Sequence, residues 1–89
     1  MTITDLVQAL RDSTDAWVFK VEEGRKYYKV MQALGDQHPH WSVHAFVDKN
    51  TGDIYKPASW RGPAKGVRSN LSTFDPSKVD PYMGWLYRR

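Results

Sequence analysis

The seven residues from Trp41 to Val47 constrain this chain more than any other stretch. Trp41, Val43, Ala45 and Val47 alternate with Ser42, His44 and Phe46, and a period of two sends the two sets to opposite faces of a strand. One of those faces belongs to a core. The polar run Asp48-Lys49-Asn50-Thr51-Gly52 follows, with Gly where a turn needs positive φ. The strand is therefore expected to fold back into Asp53-Ile54-Tyr55-Lys56 as a hairpin.

Upstream, Thr2-Ile3-Thr4-Asp5 has the form of a capping box, and Ile3, Leu6, Val7 and Leu10 then fall at i, i+3, i+4 and i+7. The spacing predicts an amphipathic helix of about three turns that leaves near Ser13-Thr14-Asp15. Ala16 to Glu22 reads as a strand, with Trp17, Phe19 and Val21 on one face. Glu23-Gly24 is a turn, and Arg25 to Met31 is the partner strand. Near the end, Phe74-Asp75-Pro76 and Val79-Asp80-Pro81 each pair an Asp cap with Pro at a first helical position, which predicts short helical turns. Tyr82, Trp85 and Leu86 would then share a face against the sheet.

The pattern gives a single α+β domain over residues 1–89: an N-terminal helix on an antiparallel sheet of about four strands, arranged as two consecutive hairpins, with a short helical C-terminus. A chain of 89 residues buries ~60–65% of its unfolded surface, so one modest core is the limit, formed alone or in a homodimer. The 40% apolar and 13% aromatic content is too hydrophobic for disorder at this charge. The absence of Cys excludes disulfides, thiolate metal sites and cysteine nucleophiles. No run approaches ~18 apolar residues and the first ten lack a basic lead-in, so neither a membrane span nor a signal peptide is expected. A cytoplasmic protein follows.

Charge is uneven along the chain. The net charge is +3, yet residues 1–50 carry six Lys or Arg against seven Asp or Glu, so the excess lies in the second half. Lys56, Arg61, Lys65 and Arg68 follow one another with no carboxylate between residues 54 and 74. A cationic segment of this kind suits nucleic acid or an acidic protein surface, or is simply solvated. Pro63 fits the first position of a short helix that would set Lys65 and Arg68 one turn apart. Trp60 is expected as a plug over the end of the sheet, with an exposed stacking platform as the other reading. The run Arg25-Lys26-Tyr27-Tyr28-Lys29 interleaves cations and aromatics. It reads as an edge strand guarded by Lys, or as a surface that stacks bases and pairs phosphates.

Extended backbone would also align His38, His40 and His44 with Ser42 on one side. Three imidazoles can hold zinc, but Pro39 interrupts the strand and no carboxylate stands at ligand spacing, so no metal and no cofactor is expected. Gly62 and Gly66 lack the Gly-Lys-Ser/Thr ending of a P-loop, which argues against nucleotide hydrolysis. Ser42 and His44 with Asp48 or Asp53, or His44 with Arg61 or Lys65, would be the parts of a small RNase-like nuclease. Neither set has a diagnostic motif around it.

The string VHAFVDKNTGDIYKPASWRGPAKGVRSNL, with Gly24-Arg25-Lys26-Tyr27-Tyr28-Lys29-Val30 before it, resembles a group of small uncharacterised proteins encoded by tailed bacteriophages. The likeness runs from about Gly24 to Leu71. It implies a phage origin and a host bacterial cytoplasm, and carries no activity or catalytic residue with it. The expectation is a non-enzymatic binding module whose residues Lys56, Trp60, Arg61, Lys65 and Arg68, with Arg25, Lys26 and Tyr27, meet nucleic acid. Alternatives are an inhibitor of a host protein, with the same side chains as hot spots, and the small nuclease.

Overall fold

Thr2 and Asp5 close the expected box: the Asp5 amide donates to Thr2 Oγ1 at 3.3 Å and the Thr2 amide to Asp5 Oδ2 at 2.8 Å. The Thr2 amide, together with the Thr2 hydroxyl that donates to Asp5 Oδ2 at 3.2 Å, holds the Asp5 carboxyl below its usual range. Helix α1, Ile3–Asp12, follows and buries Leu6, Val7, Ala9 and Leu10, and the Ser13 hydroxyl caps it on the Leu10 carbonyl at 2.6 Å. The structure is a computed structural model that describes residues 2–35, 40–80 and 84–86.

Five antiparallel strands come next, β1 (Trp17–Glu23), β2 (Tyr27–Leu34), β3 (Ser42–Asp48), β4 (Asp53–Tyr55) and β5 (Ser69–Asn70), and each pairs with its neighbour in sequence. The sheet thus has one strand more than the four expected. Two residues after the basic segment are enough to add it, through Arg68 donating its amide to the Ile54 carbonyl at 2.8 Å. Strand β2 lies between β1 and β3, which corrects its reading as an edge, and Arg25 and Lys26 fall in the turn before it. Gly52 has φ +76° and donates to Asp48 O at 2.9 Å, while the Asp48 carboxylate accepts the Asn50 and Thr51 amides. Those bonds explain the tight β3–β4 turn, and they lower the Asp48 pKa.

The simple alternation of β3 needs correction. Val30 faces Ala45, yet Met31 faces Val43, so His44 is an extra residue in β3 and marks a β-bulge. The bulge turns Ala45 and Val47 to the side of α1, with Val30, Phe19 and Ile54. Val43 and Phe46 go to the other side, with Met31, Tyr27, Trp41 and Tyr55. Residues 43–48 are consequently buried throughout, the pattern of a strand covered on both faces.

Two layers lie over the sheet on the first side. One is α1. The other is the C-terminal segment, whose Phe74, Val79 and Leu86 join the same core. Instead of the expected helical turns, the Asp75 carboxylate ties off a turn on the Ser77 amide and hydroxyl, and the only regular element there, among the described residues, is the 3-10 turn η1, Gly84–Leu86. Tyr82 lies outside the described residues. On the second side the chain between β4 and β5 doubles back as a small hairpin. Ala64 donates to Lys56 O at 2.9 Å and Ala58 to Gly62 O at 3.1 Å, and Pro57 bridges Pro63. With those amides already paired across the hairpin, Pro63 starts no helix. No described helix is long and apolar enough to cross a membrane.

Candidate nucleic-acid interface

Alternation along β2 sends Tyr27, Lys29 and Met31 to the side of the sheet away from α1, and the bulge brings Phe46 there as well. In the register, Glu22, Lys29, Phe46 and Tyr55 line up across four strands. Tyr27 meets Phe46 and Tyr55 edge to face, with centroids at 5.9 Å and 6.1 Å. The result is an aromatic floor held by quadrupole-favoured contacts.

Cations sit on that floor. Lys26 Nζ is 5.3 Å from the Tyr27 ring centroid, Lys29 Nζ is 4.9 Å from Trp60 and 5.9 Å from Phe46, and Lys20 Nζ is 4.3 Å from Trp41. In each, the ammonium is drawn to the negative face of the ring. Hydrogen bonding to the Tyr27 side chain raises the Lys26 pKa, and burial is the main reason the Tyr55 phenol is raised too. Both stay in their neutral-pH forms, one cationic and one uncharged.

Two grooves flank the small hairpin. The first, about 290 Å³, is lined by Glu22, Glu23, Gly24, Arg25, Lys26, Tyr27, Lys29, Phe46 and Arg61. Four cations there outweigh two carboxylates, and Glu23 is already paired with Lys49. The second, about 280 Å³, is lined by Trp41, Ser42, Val43, Pro57, Ala58, Ser59 and Trp60. Trp60 is 51% exposed, which corrects its expected role as a core plug: at the hairpin tip its ring reaches back only as far as Lys29.

Of the residues singled out from the sequence, Arg25, Lys26, Tyr27 and Arg61 share the first groove, and Trp60 stands beside them through Lys29. Lys56, Lys65 and Arg68 line neither groove. Lys56 lies where the hairpin begins, Lys65 is exposed past its end, and Arg68 is half-buried against β4, its Nε buried without a hydrogen-bond partner among the described residues. Sequence reasoning undervalued Lys29, Phe46, Lys20 and Trp41. Lys29 was legible as the residue two beyond Tyr27, whereas Phe46 was hidden by the bulge.

The described histidines, His40 and His44, share no site. His38 lies outside the described residues, His40 is exposed, and His44 is fully buried on the α1 side. Among the described residues no three His, Asp or Glu cluster as a metal would need. The Trp85 indole N–H donates to His44 Nε2 at 3.0 Å, and His44 Nδ1 is 2.7 Å from Gln32 Oε1. An indole nitrogen only donates, so Nε2 carries no proton and Nδ1–H donates to Gln32. Burial lowers the His44 pKa to about 4, with Asp80 opposing. Both ring nitrogens are engaged and Arg61 lies across the sheet, so the His44–Arg61 and His44–Lys65 nuclease arrangements are not assembled.

Comparison with curated proteins and with solved structures returns no match. Residues 2–83, which include the aromatic face, both grooves and the β3 bulge, match one family model, and the chain belongs to that family, described as Family of unknown function (DUF7717).

Proposed function

We propose that this chain binds nucleic acid through the aromatic, cationic side of its sheet. The observation that carries the reading is the seating of lysines over aromatic rings, Lys26 on Tyr27 and Lys29 on Trp60, beside a groove that Arg25 and Arg61 also line. Aromatic platforms with interleaved cations suit a nucleic-acid strand because bases stack while phosphates pair with charge. Of the eight residues expected to bind, the proposed site keeps Arg25, Lys26, Tyr27, Trp60 and Arg61, adds Lys29 and Phe46, and leaves out Lys56, Lys65 and Arg68. The proposed setting is a host bacterial cytoplasm, on the likeness of residues 24–71 to phage proteins.

The test is an electrophoretic shift with single- and double-stranded DNA and RNA at low and moderate salt. Binding should weaken steeply with salt, log affinity falling by about 0.7–0.9 per log unit of salt for each phosphate neutralised. Lys26→Ala/Lys29→Ala/Arg61→Ala should abolish the shift, and Lys65→Ala should leave it nearly unchanged. No shift at low salt, where electrostatic attraction is strongest, overturns the proposal. Purified protein free of nucleic acid that captures one stoichiometric acidic partner would then favour the protein-inhibitor alternative.

A further inference from the structure

The two grooves differ in chemistry although one hairpin walls both. The second has Trp41 and Val43 on one side and Pro57 and Trp60 on the other, and no charged side chain lines it among the described residues. The first gathers Arg25, Lys26, Lys29 and Arg61. Trp60 and Arg61, adjacent in sequence, stand at the divide. A half-exposed indole stands out because Trp is highly buried on average. Nothing in the core requires Trp60 to be Trp: it contacts Lys29 and bounds the apolar slot.

Resting on the nucleic-acid reading above, we infer that the occupant is a single strand, with one unstacked base held in the slot between Trp41 and Trp60 and its flanking phosphates over the Arg25–Lys29–Arg61 groove. A slot bounded by two indoles and a proline, with the Ser42 and Ser59 hydroxyls as its side-chain polar groups, offers mainly π faces, so it takes any base by stacking. In a duplex the faces of each base are covered by its neighbours and only edges are presented in the grooves. The slot therefore has no use for a duplex. The adjacent cations complement the strand's charge, and Lys29, now over Trp60, and Lys20, now over Trp41, are placed to move to phosphate when a base displaces them. DNA and RNA share the stacking and phosphate chemistry.

Fluorescence anisotropy with labelled ten-nucleotide oligothymidine and oligouridine and a ten-base-pair duplex, at low salt, tests this on the full chain and on Trp60→Ala, Trp60→Phe and Arg61→Ala. Trp60 is exposed, so these variants should fold, and circular dichroism checks that they do. The expected result is tighter binding of the single strands than of the duplex. Trp60→Ala should weaken single-strand binding about 10-fold, one base's stacking, with little effect on the duplex and partial recovery in Trp60→Phe. Arg61→Ala should instead lower the salt slope on both forms. Oligothymidine against oligouridine then assigns DNA or RNA. Equal or tighter duplex binding, or unchanged single-strand binding in Trp60→Ala, overturns the slot while leaving the cationic groove as a nucleic-acid surface. No binding of any probe overturns both.

Discussion

Acid should destabilise this fold through His44 well before its carboxylates titrate. The ring is 0% exposed, accepts from Trp85, donates to Gln32 and meets Phe19 edge to face at 5.8 Å. Its folded pKa of about 4 lies below the ordinary 6.5, so the unfolded chain takes up the proton first. Above pH 6.5 His44 is neutral in both states and contributes no pH dependence. As pH falls from 6.5 to 4 the unfolded state is favoured progressively, by about 2 kcal/mol at pH 5 and about 3 below pH 4, after which the effect levels off. Asp5, Asp48 and Asp75, whose pKa values hydrogen bonds lower, have the opposite linkage. Their stabilisation is present above 3.8 and lost only as pH falls through their folded values, so of these four groups only His44 acts in the window from 7 to 5. Urea unfolding followed by tryptophan fluorescence at pH 7, 6 and 5 measures the slope. His44→Gln keeps an acceptor for the Trp85 N–H; it should be less stable at pH 7 and nearly flat between pH 7 and 5. A wild-type stability that does not change over that interval, or an equal slope in His44→Gln, refutes the reasoning.

Two further outcomes follow from the same core. Leu86 is 1% exposed and packs with the first core, so Leu86→Ala should cost about 2–5 kcal/mol in the same urea experiment; a cost below 1 would mean that the last described turn is not part of the cooperative unit. Gly52→Ala forces an L side chain into φ +76° and sets its Cβ 3.4 Å from Leu71 Cβ, and should cost about 1–2 kcal/mol, readable as a lowered midpoint with an unchanged m-value.

The elements that the sequence made legible are those set by local rules. Thr2 and Asp5 announce α1 because both halves of a capping box lie within one turn, and Gly52 announces the β3–β4 hairpin because few residues accept positive φ. The bulge was not legible: whether His44 pairs or is passed over depends on how β2 and β3 align, and the sequence of β3 alone reads as perfect alternation. That misplacement hid Phe46 from the site and put His44 with Ser42 instead of with Trp85, 41 residues later. The hairpin carrying Trp60 was missed for a related reason. Pro63 suits a helix start locally, and only the pairing of Ala64 with Lys56 across the loop decides otherwise. What could be read of the site was its composition, cations interleaved with aromatics; what could not was which cations come together, since that is set by sheet faces.

The unpaired position in β3 also restricts how the length of this chain can drift among its relatives. A two-faced strand with an extra residue at its centre is a phase shifter: everything before His44 is rotated by one step relative to everything after it. Deleting His44 would return β3 to plain alternation with Val43 and Ala45 on their present faces, but would take away the buried ring that Trp85 and Gln32 hold. The Trp60 hairpin, which pairs mainly with itself, can lengthen or shorten without moving any strand out of register. Insertions and deletions among family members should therefore gather in residues 57–63 and be excluded from residues 42–45.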